Sequence, residues 1–598
     1  MESLYWLLVA TIILVIFILL NYNDNRKNHP PGPPPWPIIG NFNLIGPLPH
    51  ISLHNLSKKY GKLMYLKFGS VPVVVVSSPD MARQFLRTHD HIFASRPTTA
   101  AGKHTTYNYR AISWAPYGPY WSQARKIYLS ELFSSKRLDS YEYIRVEERN
   151  IFLSRLHKMV GVPIVLKEQI KHSNLSMISR ILLGRKYFSE SNDEKEIVTL
   201  KEFQEILDEW ILLNGVLNIG DWIPWMEFMD LQGYVKRMKA MFERFDRFNE
   251  HVLQDHMARM KAEKDGFVAK DMVDSLLKLV DDPDLEVKLD SDCVKGLTQD
   301  LLVGGTETSA PVIEWAMSEL MKQPTLIKKA TEELDRVIGK DRWVDEHDHP
   351  NLPFIDSVIK ETMRLHPLTV LLAPHVALHD CKVAGYDIAK GTTIFINLWA
   401  MGRNSSIWDD PECFRPERFL GKDIDMKGQH FELLPFGSGR RMCPGYNLGL
   451  KITRSLLANM LHGFDWTLPD DMKKEDINMD EMYGSAITTN GNLLCVDSPY
   501  NFSIFISLIF IFSGNFQLNK WKQLKMLASK IYISTQKPLR FETQRANQMS
   551  ESRPMLHEFM KIAVPFAISY PATLALCNLQ GLNVVLVRRP QGVTSLNL

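Results

Sequence analysis

The chain has 598 residues, with 70 lysines and arginines against 68 aspartates and glutamates, a formal charge of +2, 23% charged and 45% hydrophobic residues. This is ordinary globular composition with nothing that points to nucleic acid. Length alone suggests about four domains at roughly 150 residues each, but no internal repeat and no long Gly/Ser linker is present, so one large domain is expected.

Leu4 to Leu20 is an uncharged apolar run. At ~1.5 Å per helical residue it reaches ~25 Å, enough for a thin bilayer such as the endoplasmic reticulum. The chain begins Met1, Glu2, Ser3 and places Arg26 and Lys27 after the run, which favours a retained single-pass anchor (4–20) over a cleaved signal peptide and puts the bulk of the protein in the cytosol. Six widely spaced cysteines, Cys293, Cys381, Cys413, Cys443, Cys495 and Cys577, do not form a disulfide pattern and suit a reducing compartment. Residues 21–41 form a basic and proline-rich linker, and Pro30 to Pro37 should behave as a stiff spacer. An SH3-type ligand is the rival reading.

Val71 to Val76 predicts a short buried or edge strand. Trp121 and Arg125 stand one helical turn apart, so an indole donor and a guanidinium share a face suited to clamping a carboxylate. Phe203 to Leu213, Val235 to Met260 and Asp271 to Val280 carry apolar residues at helical spacing. The methionine stripe Met238, Met241, Met257, Met260 reads as packing surface.

A further helical stretch runs from near Cys293 toward Met321 and contains Gly304, Gly305, Thr306, Glu307, Thr308, Ser309. Adjacent glycines inside a helix cost about 1 kcal/mol each relative to alanine, so they mark a place where something must come close. The Thr308 hydroxyl beside the Glu307 carboxylate can hold water and pass protons. The plainer alternative is a helix kink in which Thr308 bonds a freed carbonyl. Pro311 lacks an N–H for the Glu307 carbonyl and should bend the helix there. Glu361 and Arg364 share a helix face just before Pro367 ends the helix; on a surface such a pair is worth only a few tenths of a kcal/mol. Short β segments are expected around Val383 to Ile388 and Thr392 to Asn397.

The most informative run is Phe436, Gly437, Ser438, Gly439, Arg440, Arg441, Met442, Cys443, Pro444, Gly445. A thiolate holding haem iron must stay unprotonated and shielded, so it needs a tight Gly-bearing turn, close backbone approach and a cation beside a propionate. Gly439 and Gly445 supply the turn and the approach, Arg441 the cation, and Phe436 packs beside the sulfur. A buried structural cysteine in a Gly-rich loop is the alternative.

The run fills every specified position of F-x-x-G-x-R-x-C-x-G, and the chain therefore resembles the cytochrome P-450 superfamily of haem-thiolate monooxygenases from its N-terminus to about Tyr483. The resemblance implies a mainly α fold with minor β sheets over 42–484, preceded by one transmembrane helix. It implies haem b with Cys443 as axial ligand, propionates held by Trp121, Arg125, Arg441 and His375, and oxygen activation at Glu307 and Thr308. Lys360 to Pro367 looks like the E-x-x-R signature, and Pro416 to Phe419 like the companion segment whose Arg418 completes a buried ion network with Glu361 and Arg364. Removing one member of such a network costs about 3–5 kcal/mol. Its role would be to hold the cysteine loop.

Asn218 to Pro224 and Asp230 to Arg237 resemble plant microsomal enzymes of the flavonoid 3′-monooxygenase-like and trimethyltridecatetraene synthase-like kind. The pocket positions so implied, Thr105 to Ala111, Ile211 to Val216, Gly296 to Gly304 and Leu368 to Ala373, are mostly apolar. They suit a terpenoid, phenylpropanoid or fatty-acid derivative, with O₂ as co-substrate. No nucleotide-binding glycine fingerprint or flavin segment occurs, so electrons would come from NADPH through a separate reductase flavoprotein. Residues 485–598 read as an atypical extension and not a domain, with apolar stretches at Tyr500 to Phe512 and Met560 to Val587. Two rival classes stand: a haem-thiolate isomerase or dehydratase, and a haem-binding remnant impaired by the altered C-terminus.

Overall fold

The computed structural model describes residues 28–188, 197–263, 266–469 and 472–484, with Tyr5, Trp6 and Thr11 and the backbone of strands at 493–499, 575–579 and 582–586. No helix among the described residues is long and apolar enough to cross a membrane. The anchor expected at 4–20 lies outside the described residues apart from the three helical positions Tyr5, Trp6 and Thr11. The apolar stretch at 500–512 lies outside them as well.

Strands β1 (Leu63–Phe68) and β2 (Val71–Val76) form an antiparallel hairpin through Gly69 and Ser70. Val73 to Val76 are fully buried, as a strand covered on both faces requires. The proline run is not a free spacer. Its carbonyls still accept hydrogen bonds: Tyr65 donates its N–H to the Pro31 carbonyl at 2.9 Å, and the Asn41 amide reaches Pro34 at 3.2 Å. The segment is thereby laid along β1, and at Gly32 a Cβ would stand 1.8 Å from the Tyr65 carbonyl oxygen.

Short strand β3 (Pro163–Val165) precedes a run of helices. Leu200–Gly215, Tyr234–Glu263 and Met272–Lys278 match three expected helices, the last with Asp271 as its cap, accepting from the Asp274 N–H. The stretch toward Met321 is two helices, Ser291–Thr306 and Ser309–Lys322, interrupted at Glu307 and Thr308, where Pro311 cannot take the Glu307 carbonyl. Helix Pro353–Leu365 starts on a proline, and its first free N–H groups, those of Phe354 and Ile355, are capped by the Glu333 carboxylate at 2.9–3.1 Å. These helices and Tyr446–Gly463 enclose a core that includes Leu302, Ala316, Leu320, Val358, Leu456 and Leu457, none of them exposed. Burying each leucine contributes about 1.5–3 kcal/mol.

Next come β4 (His375–Val376), β5 (Cys381–Val383), β6 (Tyr386–Ile388) and β7 (Thr393–Ile396). The β segment expected over Val383 to Ile388 is a hairpin, turning at Ala384 and Gly385, both at positive φ. Strand β7 runs parallel to β2 and antiparallel to β4, giving a sheet in the order β1-β2-β7-β4. Strands β8 (Phe464–Thr467) and β9 (Leu493–Pro499) join β3 in the order β3-β9-β8. The domain boundary drawn from sequence at residue 484 thus leaves out a strand of this sheet. The chain divides into two compact units, 1–511 and 512–598, and the described part of the second is one hairpin, β10 (Ala575–Leu579) with β11 (Leu582–Leu586).

Candidate active site

Gly437 and Gly439 both sit at positive φ in the cysteine loop, and a Cβ at Gly439 would stand 2.0 Å from the Leu86 carbonyl oxygen, so only glycine fits that turn. Gly445 has an ordinary φ of −90°; it caps helix Tyr446–Gly463, and its N–H is directed at the Cys443 thiol. The Cys443 N–H donates to the Phe436 carbonyl at 2.9 Å. Cys443 is partly exposed, onto a cavity of about 440 Å³ that Phe436, Arg441 and Gly445 also line. Burial pushes the thiol up, opposed by the Gly445 N–H and the charge of Arg125.

Arg441, Arg125 and Trp121 converge on that cavity. Arg441 donates to the carbonyls of Ala94, Ile112 and Ala115 and lies 4.3 Å over the Trp121 ring. A third guanidinium, Arg96, completes the rim, bonded to the carbonyls of Ser113, Ala373 and Pro374. Sequence reasoning missed Arg96, although it lies between Ala94 and Trp121 within the stretch that carries the family likeness. Burial, then the charges of Arg96 and Arg125, hold Arg441 down to about 8, and burial lowers Arg96 to about 10. No carboxylate among the described residues offsets any of the three. Buried like charges without a counter-ion are costly.

His375 is buried on β4 and does not line the cavity. Burial and the neighbouring Arg96 and Arg441 depress it to about 3, so it is neutral, and its Nδ1–H donates to the Phe93 carbonyl at 2.8 Å. It buttresses the arginine rim from behind and supplies no cation.

Gly304, Gly305, Thr308 and Ser309 line the same cavity. The two glycines have different reasons. Gly304 has nothing within 4 Å of an added Cβ, whereas at Gly305 a Cβ would meet the Ile178 side chain at 2.8 Å. Thr308 Oγ1 donates to the Gly304 carbonyl at 2.6 Å, which leaves its oxygen lone pairs toward the cavity. Glu307 does not line the cavity. It turns onto Lys171 (2.9 Å), which also pairs with Asp208, and its Oε1 has no hydrogen-bond partner among the described residues. Burial pushes the Glu307 carboxyl up against the pull of Lys171.

The Glu361–Arg364–Arg418 network forms as expected. Arg364 grips Glu361 at 2.6 and 2.8 Å, and Arg418 donates to it at 2.8 Å. The remaining guanidinium N–H groups hold carbonyls of Gly402, Pro411, Cys413, Asp409 and Asp410. The network ties 402–418 to helix Pro353–Leu365. Its link to the cysteine loop is indirect, through the Arg454–Asp356 ion pair onto helix Tyr446–Gly463.

Of the pocket segments expected from sequence, Leu368 to Ala373 lines the cavity throughout, and Ile211 to Val216 and Gly296 to Gly304 in part. Thr105 to Ala111 does not; Thr99, Ala101, Ile112, Ser113 and Trp114 take its place. Tyr107, Asn108 and Tyr109 form a left-handed turn at positive φ, and Tyr107 is drawn outward by a 2.7 Å hydrogen bond to Asp246.

These features define the class. A cysteine sulfur, a rim of guanidiniums lacking counter-ions among the described residues, and a glycine and threonine segment on one cavity fit a dianionic, sulfur-ligated macrocycle, which is haem held by thiolate. The cytochrome P450 family model matches residues 30–496. Trimethyltridecatetraene synthase of Zea mays is 43% identical over 517 residues, covering 82% of this chain and 92% of that one. Flavonoid 3′-monooxygenase of Petunia hybrida is 39% identical over 497 residues, covering 81% and 96%. A zebra fish cytochrome P450 solved with abiraterone aligns at a TM-score of 0.64 with 25% identity, covering 76% of this chain and 99% of that one. The chain belongs to the cytochrome P450 family.

Proposed function

We propose that the chain is a haem-thiolate monooxygenase of plant specialised metabolism. It inserts one atom of O₂ into a small apolar terpenoid or flavonoid-type molecule and reduces the other to water with two electrons and two protons. The observation that carries this reading is the Cys443 thiol and the three uncompensated guanidiniums on one cavity that Gly304 and Thr308 also line. Bound there, haem supplies O₂ binding and oxygen transfer, with electron donation from the sulfur favouring O–O cleavage.

The chain's own part is binding, orientation and proton control. Trp121, Arg125, Arg96 and Arg441 offer donors and charge to two carboxylates. Thr308 Oγ1 holds a water or a proton at the wall. Glu307 stands one peptide behind it, its Oε2 paired with Lys171, which also pairs with the mostly exposed Asp208, and its Oε1 free to take a proton. The cavity wall is largely apolar, with Ile112, Val216, Leu371, Leu372 and Phe395 among its residues, so a hydrocarbon skeleton is favoured over a charged metabolite. The names of the maize and petunia relatives support the terpenoid and flavonoid classes.

Electrons come from NADPH through a separate reductase flavoprotein, and the apolar run at 4–20 anchors the protein in the endoplasmic reticulum with its catalytic domain in the cytosol. Residues beyond strand β9, from 500 onward, are an extension outside the family match. The carbon-monoxide difference spectrum of the reduced, haem-loaded protein tests the reading. A strongly red-shifted Soret band that Cys443→Ser abolishes is expected; a band like that of an imidazole-ligated globin would overturn it.

A further inference from the structure

Glu481 lies outside the cavity wall, yet its two carboxylate oxygens bind donors from two distant segments. His50, on helix Pro49–Tyr60, contacts Oε2 through Nε2 at 2.7 Å, and Trp399, on helix Leu398–Gly402, donates its indole N–H to Oε1 at 3.1 Å. Both donors are themselves fixed. The Asn397 side chain donates to the His50 carbonyl at 2.9 Å while its oxygen caps Ala400, and the Arg403 guanidinium sits 4.0 Å over the Trp399 ring. His50 is fully buried. Burial pushes the Glu481 carboxyl up, but the bond and charge of His50 together with Arg403 and Trp399 hold it below the ordinary range, so it stays ionised.

Two residues further on, Tyr483 and Gly484 line the cavity. The Tyr483 ring stacks on His50 at 6.0 Å and packs with Trp315 and Val370, and Val370 lines the same cavity. The clamp and the wall therefore share His50, which holds Glu481 by its nitrogen and Tyr483 by its face.

We propose that Glu481 is a positioning residue: bridging His50 and Trp399, it fixes the Tyr483–Gly484 wall of the cavity and so decides which bulky apolar ligands are accepted. This rests on the haem-thiolate reading above for its spectroscopic readout, and on geometry alone for its structural one. A part-buried, ionised carboxylate with both oxygens engaged does not rearrange cheaply, and removing it leaves the buried His50 donor and the part-buried Trp399 donor unpaired.

The test uses the full haem-loaded chain and two probes, imidazole and a bulky biaryl-substituted azole that spans the cavity, titrated by their difference spectra. Glu481→Ala is expected to weaken the bulky azole about tenfold and imidazole less than twofold. Glu481→Gln keeps an oxygen for Trp399 but sets an amide N–H against the His50 Nε2–H, so it should recover only part of the loss. Tyr483→Ala should reproduce the Glu481→Ala effect, and the double variant should add little, because one acts through the other. Equal weakening of both azoles, no change in either, or additive losses would overturn the proposal. Hydrogen exchange in the haem-free chain gives a readout independent of the cofactor: protection at 479–484 should fall in Glu481→Ala, and unchanged protection there overturns the clamp. A wild-type chain without the red-shifted carbon-monoxide band would sink the haem-thiolate reading alone, leaving the exchange experiment to decide on the clamp.

Discussion

Two clusters of arginine stand in one fold, one buried and one part-buried on the cavity, and they differ in how their charge is met. Around Glu361, the guanidiniums of Arg364 and Arg418 share a carboxylate and spend their other N–H groups on five carbonyls. Around the cavity, Arg96 and Arg441 also hold carbonyls, but the charges of all three cavity arginines are opposed by none among the described residues. A buried charge that is fully paired explains itself as structure. One left uncompensated beside a cavity points to something that arrives later, and two carboxylates on a flat ligand satisfy it.

The sharpest way to break this comparison is to cut the paired cluster. Arg364→Ala leaves Glu361 buried with half its partners and takes the guanidinium from the carbonyls of Gly402 and Pro411, so a loss of about 3–5 kcal/mol in urea unfolding of the haem-free chain is expected. A loss under about 1 kcal/mol would mean that the network is ornamental.

The unpaired cluster should respond with the opposite sign. Arg125→Ala removes a charge that repels Arg441 and breaks no hydrogen bond to a described residue, so the haem-free chain should melt at the same temperature or higher. Haem retention should fall by about 1.5–3 kcal/mol, the worth of a hydrogen bond to a charged group. If Arg125→Ala destabilised the haem-free chain as Arg364→Ala does, the two clusters would be alike and the argument from missing counter-ions would fail.

How much of this was legible in the sequence follows from the range of each interaction. The cysteine loop and the Glu361, Arg364, Arg418 network were readable because turn chemistry and i, i+3 spacing are local, and family likeness supplied the partners. Glu307 was placed in the cavity on adjacency to Thr308. Adjacent residues on a helix point about 100° apart, and the break at Pro311 turned the carboxylate onto Lys171, which is distant in sequence. Thr105 to Ala111 was placed on the cavity wall, but three consecutive positive-φ residues, none of them glycine, reversed the chain there, and no propensity argument anticipates that. The strand 493–499 escaped because a short apolar run beyond the last motif carries no period that distinguishes strand from loop, and its partners β3 and β8 lie elsewhere in the chain. His375 was legible as a position and illegible as a charge, since its neutrality comes first from burial and then from Arg96, which the sequence reading did not single out.

The glycine pair sharpens the contrast at smaller scale. Gly305→Ala drives a methyl group into Ile178, and overpacking of that kind costs about 1–3 kcal/mol. Gly304→Ala meets no atom within 4 Å and gains helix propensity, so the haem-free chain should gain up to about 1 kcal/mol. The order should reverse for cofactor uptake, because the Gly304 face lies on the cavity and the Gly305 Cβ position is filled by protein. Thermal melting with and without haem separates the two.

The smallest expected effect concerns two carboxyls on the cavity that have hydrogen bonds but no cation. Asp300 accepts from Ser113 N and Oγ at 2.8 and 2.7 Å, and Asp221 accepts from the Ala100 N–H at 2.7 Å. Burial nevertheless pushes both up to about 6 from the ordinary 3.8. A raised carboxyl binds a proton more readily in the folded state, so between about pH 4 and 6 the folded chain holds more protons than the unfolded one, and stability from these groups falls as pH rises through that window. Carboxylates held low by cations, such as Asp356 beside Arg454, pull the other way at lower pH, so the quantity to measure is the difference between wild type and variant. Asp300→Asn, which keeps an acceptor for Ser113, should gain on the wild type as pH rises from about 4 to 6 and hold that gain above. A difference that does not change with pH would mean that Asp300 is ionised throughout, paired with a cation that the geometry does not show.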